Sequence, residues 1–425
     1  LFSRAGSKTL IYQFSFLINK NPFMCYNRKK LIELSQYASD PIKRETIMTQ
    51  LDPHRQSQAK QYARIKRRLW LVDQSINLLY AFLWLLTGWS TALRTWLGNI
   101  VNNQWFIVAG FAVIFGGIYF LINLPISYYA GFILPHRFDL STQPLKGWVV
   151  DQLKGLAVGG VLGLILIELV YLALRVTGQS WWLWLTGGML LFSVLLANLT
   201  PVLLMPLFNK FTPLGDEHSD LAERLMQLAE KAGTQVKGVF KVDLSRRTKQ
   251  ANAALTGLGN TRRIILGDTL LDEFTPDEIE TVLAHELGHH VQHDMAWLMG
   301  FSTLLTALGF FLVSLAMDWA ITAFGLTGVA DPAGLPALLI LLSLYQLIIM
   351  PIDRAFSRWR ESKADDYALQ ATGKAAAYAT AFTRIANQNL SDVDPEPWVS
   401  FLFFSHPPLS ARIAKAKAWQ DRHPD

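Results

Sequence analysis

Six stretches of this chain are each apolar for about 20 residues, the length a helix needs to cross the hydrocarbon core of a bilayer. They lie near 70–90, 105–125, 153–175, 181–207, 296–323 and 335–355. Backbone amides in hydrocarbon find no water, so each such segment must satisfy its own hydrogen bonds as a helix. The expected fold class is therefore mainly α, a polytopic helical membrane protein. Asp73, Gln74 and Asn77 interrupt the first stretch, and the fifth is overlong, with Asp318 expected at its far interface. The charged fraction agrees, at 17% against about 25% in soluble domains.

Between the fourth and fifth stretches, residues Asn209 to Asp294 are polar. "GDEHSDLAERLMQLAEKAG" has helical periodicity and a stop at Gly233. "VKGVFKVDL" and "TRRIILGDTLL" read as strands of a small sheet. "TPDEIETVLAHELGHHVQHD" starts as a helix should, with Thr275 as N-cap, Pro276 at the first helical position and acidic residues in the first turn. The expected organisation has residues 1–47 as a disordered or non-native extension and 48–207 as a four-span membrane region. Residues 208–294 form a catalytic insert, 295–355 a transmembrane hairpin, and 356–425 the C-terminal part of the catalytic domain. The first division rests on "TLIYQFSFLI", too short to span and followed by no small-residue cleavage site, and on the change to a polar, basic text at Met48.

Positive charge alternates between loops. Arg55, Lys60, Arg64, Lys66, Arg67 and Arg68 precede the first stretch; Arg137, Lys146 and Lys154 follow the second; Arg354, Arg358 and Arg360 follow the sixth. The intervening loops hold Arg94 alone, Arg175 alone, and no Lys or Arg at 324–334. Basic loops stay on the cytoplasmic side, so both termini and the polar insert are expected in the cytoplasm. Short basic loops and a compact insert suggest a prokaryotic inner or plasma membrane. Nothing in the charge pattern suggests a nucleic-acid partner.

The chain's one cysteine, Cys25, excludes a disulfide framework and a thiolate cluster. A metal would have to rely on histidine and carboxylate, and "HELGH" offers both. His285 and His289, four apart, project from one helix face, the spacing one Zn²⁺ accepts from two nitrogens. Glu286 between them can take a proton from water as general base. The plain alternative, a polar helix end at a membrane surface, does not explain Gly288, which costs a helix roughly 1 kcal/mol against alanine; close approach of another backbone would. A third histidine of the metzincin kind is excluded, because Gln292 and Met295 stand where that class has glycine and histidine. A glutamate on a second helix remains. "SRWRESKADDYA" offers Glu361 as third ligand and Asp365, four residues on, to fix the tautomer of a ligand histidine. Read alone, that stretch would be a charged juxtamembrane helix with ordinary pairs. Two spans separate it from His289, and their antiparallel return brings both helices to one side. His290 and His293 are assigned no metal role.

Beyond "HELGHH", the segments "PLFNKFTPL", "GVFKVDLSRRTKQANAALTGLGNTRRIILGDTLL", "RESKADDYA" and "FFSHPPLSARI" resemble, in order and spacing, the type I CAAX prenyl endopeptidases. These are integral-membrane zinc metalloproteases of the gluzincin type, and the resemblance covers roughly residues 200–420. It implies that the insert is a cytoplasmic α+β zincin-like metalloprotease domain. The family's eukaryotic members have seven spans, so six or seven are expected here. The resemblance also implies that Asn252 and the Ala253 carbonyl hold the substrate main chain at an edge strand, and that His406 and Arg412 stabilise the oxyanion. Without it, Asn252 and His406 would read as turn residues. Gln250 and Ala251 stand where the family often has histidine or serine, which leaves substrate preference open.

The expected function is a membrane-embedded zinc endopeptidase with one Zn²⁺ per chain, acting on peptide or protein substrates at the bilayer. Two substrate classes compete: CAAX proteins, trimmed after a prenylated cysteine, and membrane proteins cleaved in quality control, as by heat-shock metalloproteases. A remote alternative from another class is a transporter with a metal-regulated domain. It would use Glu168, in the third span, as an ion-pathway residue, but no pair of broken spans repeats between halves.

Overall fold

The computed structural model describes residues 50–257 and 262–423; the expectation for residues 1–47 lies outside them. Among the described residues, six helices are long and apolar enough to cross a membrane. The first is α1 (Pro53–Leu86), joined by a short α2 (Trp89–Ile100) to α3 (Gln104–Tyr128). α3 continues through a widened turn at Tyr129–Ile133 to Arg137. α4 (Leu145–Val176) and α5 (Trp181–Leu199) follow, and α5 is likewise prolonged to Phe208 through a widened turn that contains Pro201.

The polar residues that interrupt the first span have partners inside the bundle. Asn123 donates to Asp73 at 2.8 Å, and Asn77 lies 3.4 Å from the Ser343 hydroxyl. Lipid gives helices no hydrophobic reason to associate, so such bonds and close packing must hold the bundle. Aromatic side chains supply the packing, with Trp84, Phe111 and Phe115 buried together and the Tyr80 hydroxyl on the Phe115 carbonyl at 2.6 Å.

The insert carries a four-stranded sheet, β1 (Phe211–Pro213), β2 (Val239–Val242), β3 (Ala253–Thr256) and β4 (Arg263–Gly267), in the order β1-β2-β4-β3. β2 and β4 run parallel; β1 and β3 flank them antiparallel. The helix expected before Gly233 is α6 (Ser219–Lys231), and Gly233 follows it at φ +67°. After the short α7 (Asp268–Glu273), α8 (Pro276–Val291) begins on a full capping box, Thr275 with Glu278. Each partner there satisfies an amide that the helix start leaves free.

α9 (Asp294–Ala323) and α10 (Leu335–Thr372) form the expected hairpin. α10 runs unbroken past residue 355, through Pro351, so the helix that carries Glu361 and Asp365 is the sixth membrane helix itself. α9 continues beyond Asp318, to Ala323. α11 (Ala375–Gln388), α12 (Pro397–Phe403) and α13 (Leu409–Arg422) close the domain. Leu225, Ile264, Leu266, Leu283, Leu287 and Leu369 are buried in one core that joins sheet, α8 and the end of α10. Each such side chain contributes about 1.5–3 kcal/mol, and together they anchor α8 to the sheet and to the end of α10.

Candidate metal centre

One turn of α8 separates His285 from His289, so both imidazoles leave the same face, and their Nε2 atoms lie 3.2 Å apart. Glu361 meets them from α10, with Oε2 3.2 Å from His285 Nε2 and Oε1 3.5 Å from His289 Nε2. Gly288 is what lets the helices come this close. A Cβ there would sit 3.0 Å from both Cα and O of Ala364, the backbone approach that the glycine was expected to serve. Ligand atoms of His285, His289 and Glu361 all fall within 4.8 Å of one another. Two imidazole nitrogens facing each other beside a buried carboxylate fit a cation between them, and two histidines with one glutamate is a donor set that zinc accepts.

Each histidine is held from behind by an aspartate, and each aspartate by an arginine. His285 Nδ1 donates to Asp365 at 2.9 Å, and Asp365, 1% exposed, receives the Arg412 Nε at 3.1 Å and its Nη2. On the other side His289 Nδ1 donates to Asp294 at 2.7 Å, and Asp294 receives the Arg360 guanidinium. The sequence pointed to Asp365 but not to Asp294 or Arg360. Helical spacing carries no signal for that second pair, because α8 ends at Val291 and the chain turns at His293, φ +54°. Arg412, expected beside His406, lies deeper. It is 5% exposed, its Nε and Nη2 donate to Asp365, its Nη2 also lies 3.1 Å from His285 Nδ1, and its guanidinium carbon lies 3.9 Å from the Phe382 ring centre. A guanidinium buried this far needs a carboxylate, and Asp365 is the one in reach.

Glu286, half-buried on α8, has its carboxyl raised above the ordinary range by burial, with His285 and His289 pulling it back. His406 comes from the turn before α13. Its Nε2 lies 3.2 Å from Glu361 and its Nδ1 2.8 Å from the Ser405 hydroxyl, while its side chain is 56% exposed. It therefore stands at the mouth of the cluster. His290 and His293 are outside the three-residue group.

β3 is the last strand of the sheet. Asn252 accepts the Gly267 amide at 2.9 Å, one position before the Ala253–Leu266 pair. Alternation along an antiparallel ladder then turns the main-chain groups of Ala253 and Leu255 to the free edge, and Asn252 is exposed at its start. Gln250 and Ala251, which depart from the family pattern, are tied to Asn389, the Ala251 amide at 2.8 Å.

Comparison with known proteins gives two family matches that together span most of the chain. Residues 216–420 match peptidase family M48, and residues 39–210 match the CAAX prenyl protease N-terminal region of five membrane helices. CAAX prenyl protease 1 of Saccharomyces cerevisiae is 31% identical over 316 residues, covering 69% of this chain and 68% of its own. The metalloprotease YhfN of Bacillus subtilis is 29% identical over 372 residues, covering 86% of each. The crystal structure of S. mikatae Ste24p matches with a TM-score of 0.77 at 26% identity, over 86% of this chain and 90% of that one.

Proposed function

The chain belongs to peptidase family M48, in its branch of membrane CAAX prenyl proteases, and is a metalloendopeptidase; from that premise we propose that it cleaves membrane-associated substrates, prenylated CAAX-type proteins among them, at His285, His289 and Glu361. The observation that carries the reading is the convergence of those three ligand atoms within 4.8 Å, with Glu286 beside them on the same helix. The metal is Zn²⁺, one per chain, held by the three side chains. When bound it supplies Lewis acidity to the scissile carbonyl and lowers the pKa of water.

The chain's own residues do the rest. Glu286, beside the cluster on the same helix, takes a proton from the attacking water and passes it to the leaving amine. His406, at the mouth, donates to the developing oxyanion, a role worth about 10²–10³ in kcat. Arg412 supports Asp365, and Asp365 holds His285 in the tautomer that leaves Nε2 free. The substrate main chain adds to the free edge of β3 through Ala253, and Asn252 fixes its register.

α8 runs directly into α9, so the site stands at the foot of the membrane helices. The charge alternation supports a cytoplasmic location for that foot and for both termini. The short basic loops and compact insert are the support for a prokaryotic plasma membrane. The test is cleavage of a farnesylated CAAX peptide and its unmodified twin by zinc-loaded protein, with Glu286→Gln as blank. Cleavage of neither overturns the reading. Equal cleavage of both transfers it to prenyl-independent, quality-control proteolysis, the course Gln250 and Ala251 leave open.

A further inference from the structure

The fifth membrane helix begins on Asp294, and that residue is 1% exposed, with one oxygen 2.7 Å from His289 Nδ1. Its other oxygen receives Arg360, itself 7% exposed, from Nε at 2.5 Å and from Nη2, which also donates to the Gln292 carbonyl at 2.8 Å. Trp359 stacks near the same guanidinium, its ring centre 5.0 Å away. Arg360 immediately precedes Glu361 on α10. The arrangement costs something: two charges are taken out of water, and His293 is held in the left-handed region, φ +54°, so that the chain can turn back.

We infer that Asp294 and Arg360 are a positioning pair for His289, and that through them the start of the fifth membrane helix is fastened to the metal cluster. The inference rests on the reading of His289 as a metal ligand. With Nδ1–H donated to Asp294, His289 can present only Nε2 to the cluster, and the hydrogen bond fixes its ring against rotation. Arg360 holds the carboxylate in place with two donors and ties it to the helix that carries the glutamate. The cluster is then held from both sides by the same device, His–Asp–Arg. The arm through Asp365 joins α10 to α13, whereas the arm through Asp294 joins α10 to the start of α9.

The experiment uses the full chain in detergent, with zinc affinity read by chelator competition and thermal stability read on metal-free protein. Asp294→Asn alone leaves Arg360 buried without a counter-charge, so loss of fold is a competing explanation for that variant. The deciding variant is the double Asp294→Asn, Arg360→Met, which removes both charges. It is expected to keep the stability of the metal-free chain and still lose zinc affinity about 10–100-fold. Arg360→Met alone, which leaves the carboxylate on His289, is expected to lose less. His289→Ala is the control for the underlying reading. If it binds zinc as the wild type does, that reading fails. If it loses zinc while the double variant binds at wild-type affinity, the positioning role is overturned.

Discussion

Replacing Gly288 by alanine sets two effects against each other at one atom. Alanine is favoured over glycine inside a helix by roughly 1 kcal/mol. The added methyl, however, lands 3.0 Å from Cα and from O of Ala364, and 3.2 Å from the Tyr367 Cβ. Carbon atoms pack best at about 3.5–4.0 Å, and none of these three neighbours can swing away by changing a rotamer. α8 and α10 must therefore part by roughly 0.5 Å or more, at an overpacking cost of about 1–3 kcal/mol. The net loss of stability is small, because the gain in helix propensity offsets part of it. The site suffers more. His285 and His289 ride on α8, Glu361 lies three residues from Ala364 on α10, and constellations of this kind tolerate about 0.5 Å. Zinc affinity is expected to fall at least ~10-fold and peptide turnover about 10²-fold, with helicity unchanged by circular dichroism. Chelator competition and initial rates measure both. A Gly288→Ala protein with higher melting temperature, wild-type zinc affinity and wild-type turnover would refute the argument that backbone approach at this glycine sets the cluster.

Glu286→Gln is expected to retain about one zinc per chain and its stability while losing nearly all turnover. Glu361→Gln should weaken zinc by orders of magnitude, and Asp365→Ala should fall between, at about 10–100-fold; atomic absorption beside peptide cleavage separates the three. Firm zinc in Glu361→Gln would mean another third ligand. His406→Ala should lower kcat by about 10²–10³ with zinc intact, and loss of zinc would make His406 a ligand instead. Reporters fused near Gly215 and near Asp331 should report opposite sides of the membrane, cytoplasmic for the first; the same side for both would refute the fifth span. Lys374 at 2.8 Å, with Arg224, holds the Asp277 carboxyl below its ordinary range. Its contribution is therefore present above the unfolded pKa of about 3.9 and lost as pH falls through the lower folded value. The gap in melting temperature between wild type and Asp277→Asn should accordingly close as pH drops below about 4, and a gap that persists there would show the pair to be idle.

The sequence by itself determined what local rules decide. Six helices follow from apolar runs, because each span has to satisfy its backbone alone. The start of α8 follows from Thr275, Pro276 and the acidic residues behind them, and the shared face of His285 and His289 follows from 3.6 residues per turn. Gly288 went further and announced a tertiary contact, since an interior glycine has a cost that only a close neighbour offsets. Other features waited for the fold. That α10 passes through Pro351 without ending, and so delivers Glu361 on a membrane helix, depends on packing that a proline rule does not see. β1, three residues long, has too little text for a period of two to register. The pairing of His289 with Asp294 depends on the left-handed corner at His293. Arg360 reaches Asp294 across 66 residues and Arg412 reaches Asp365 across 47. Charges so far apart in the chain carry no mark of their partners; which carboxylate each arginine meets is settled only when burial leaves it one within reach.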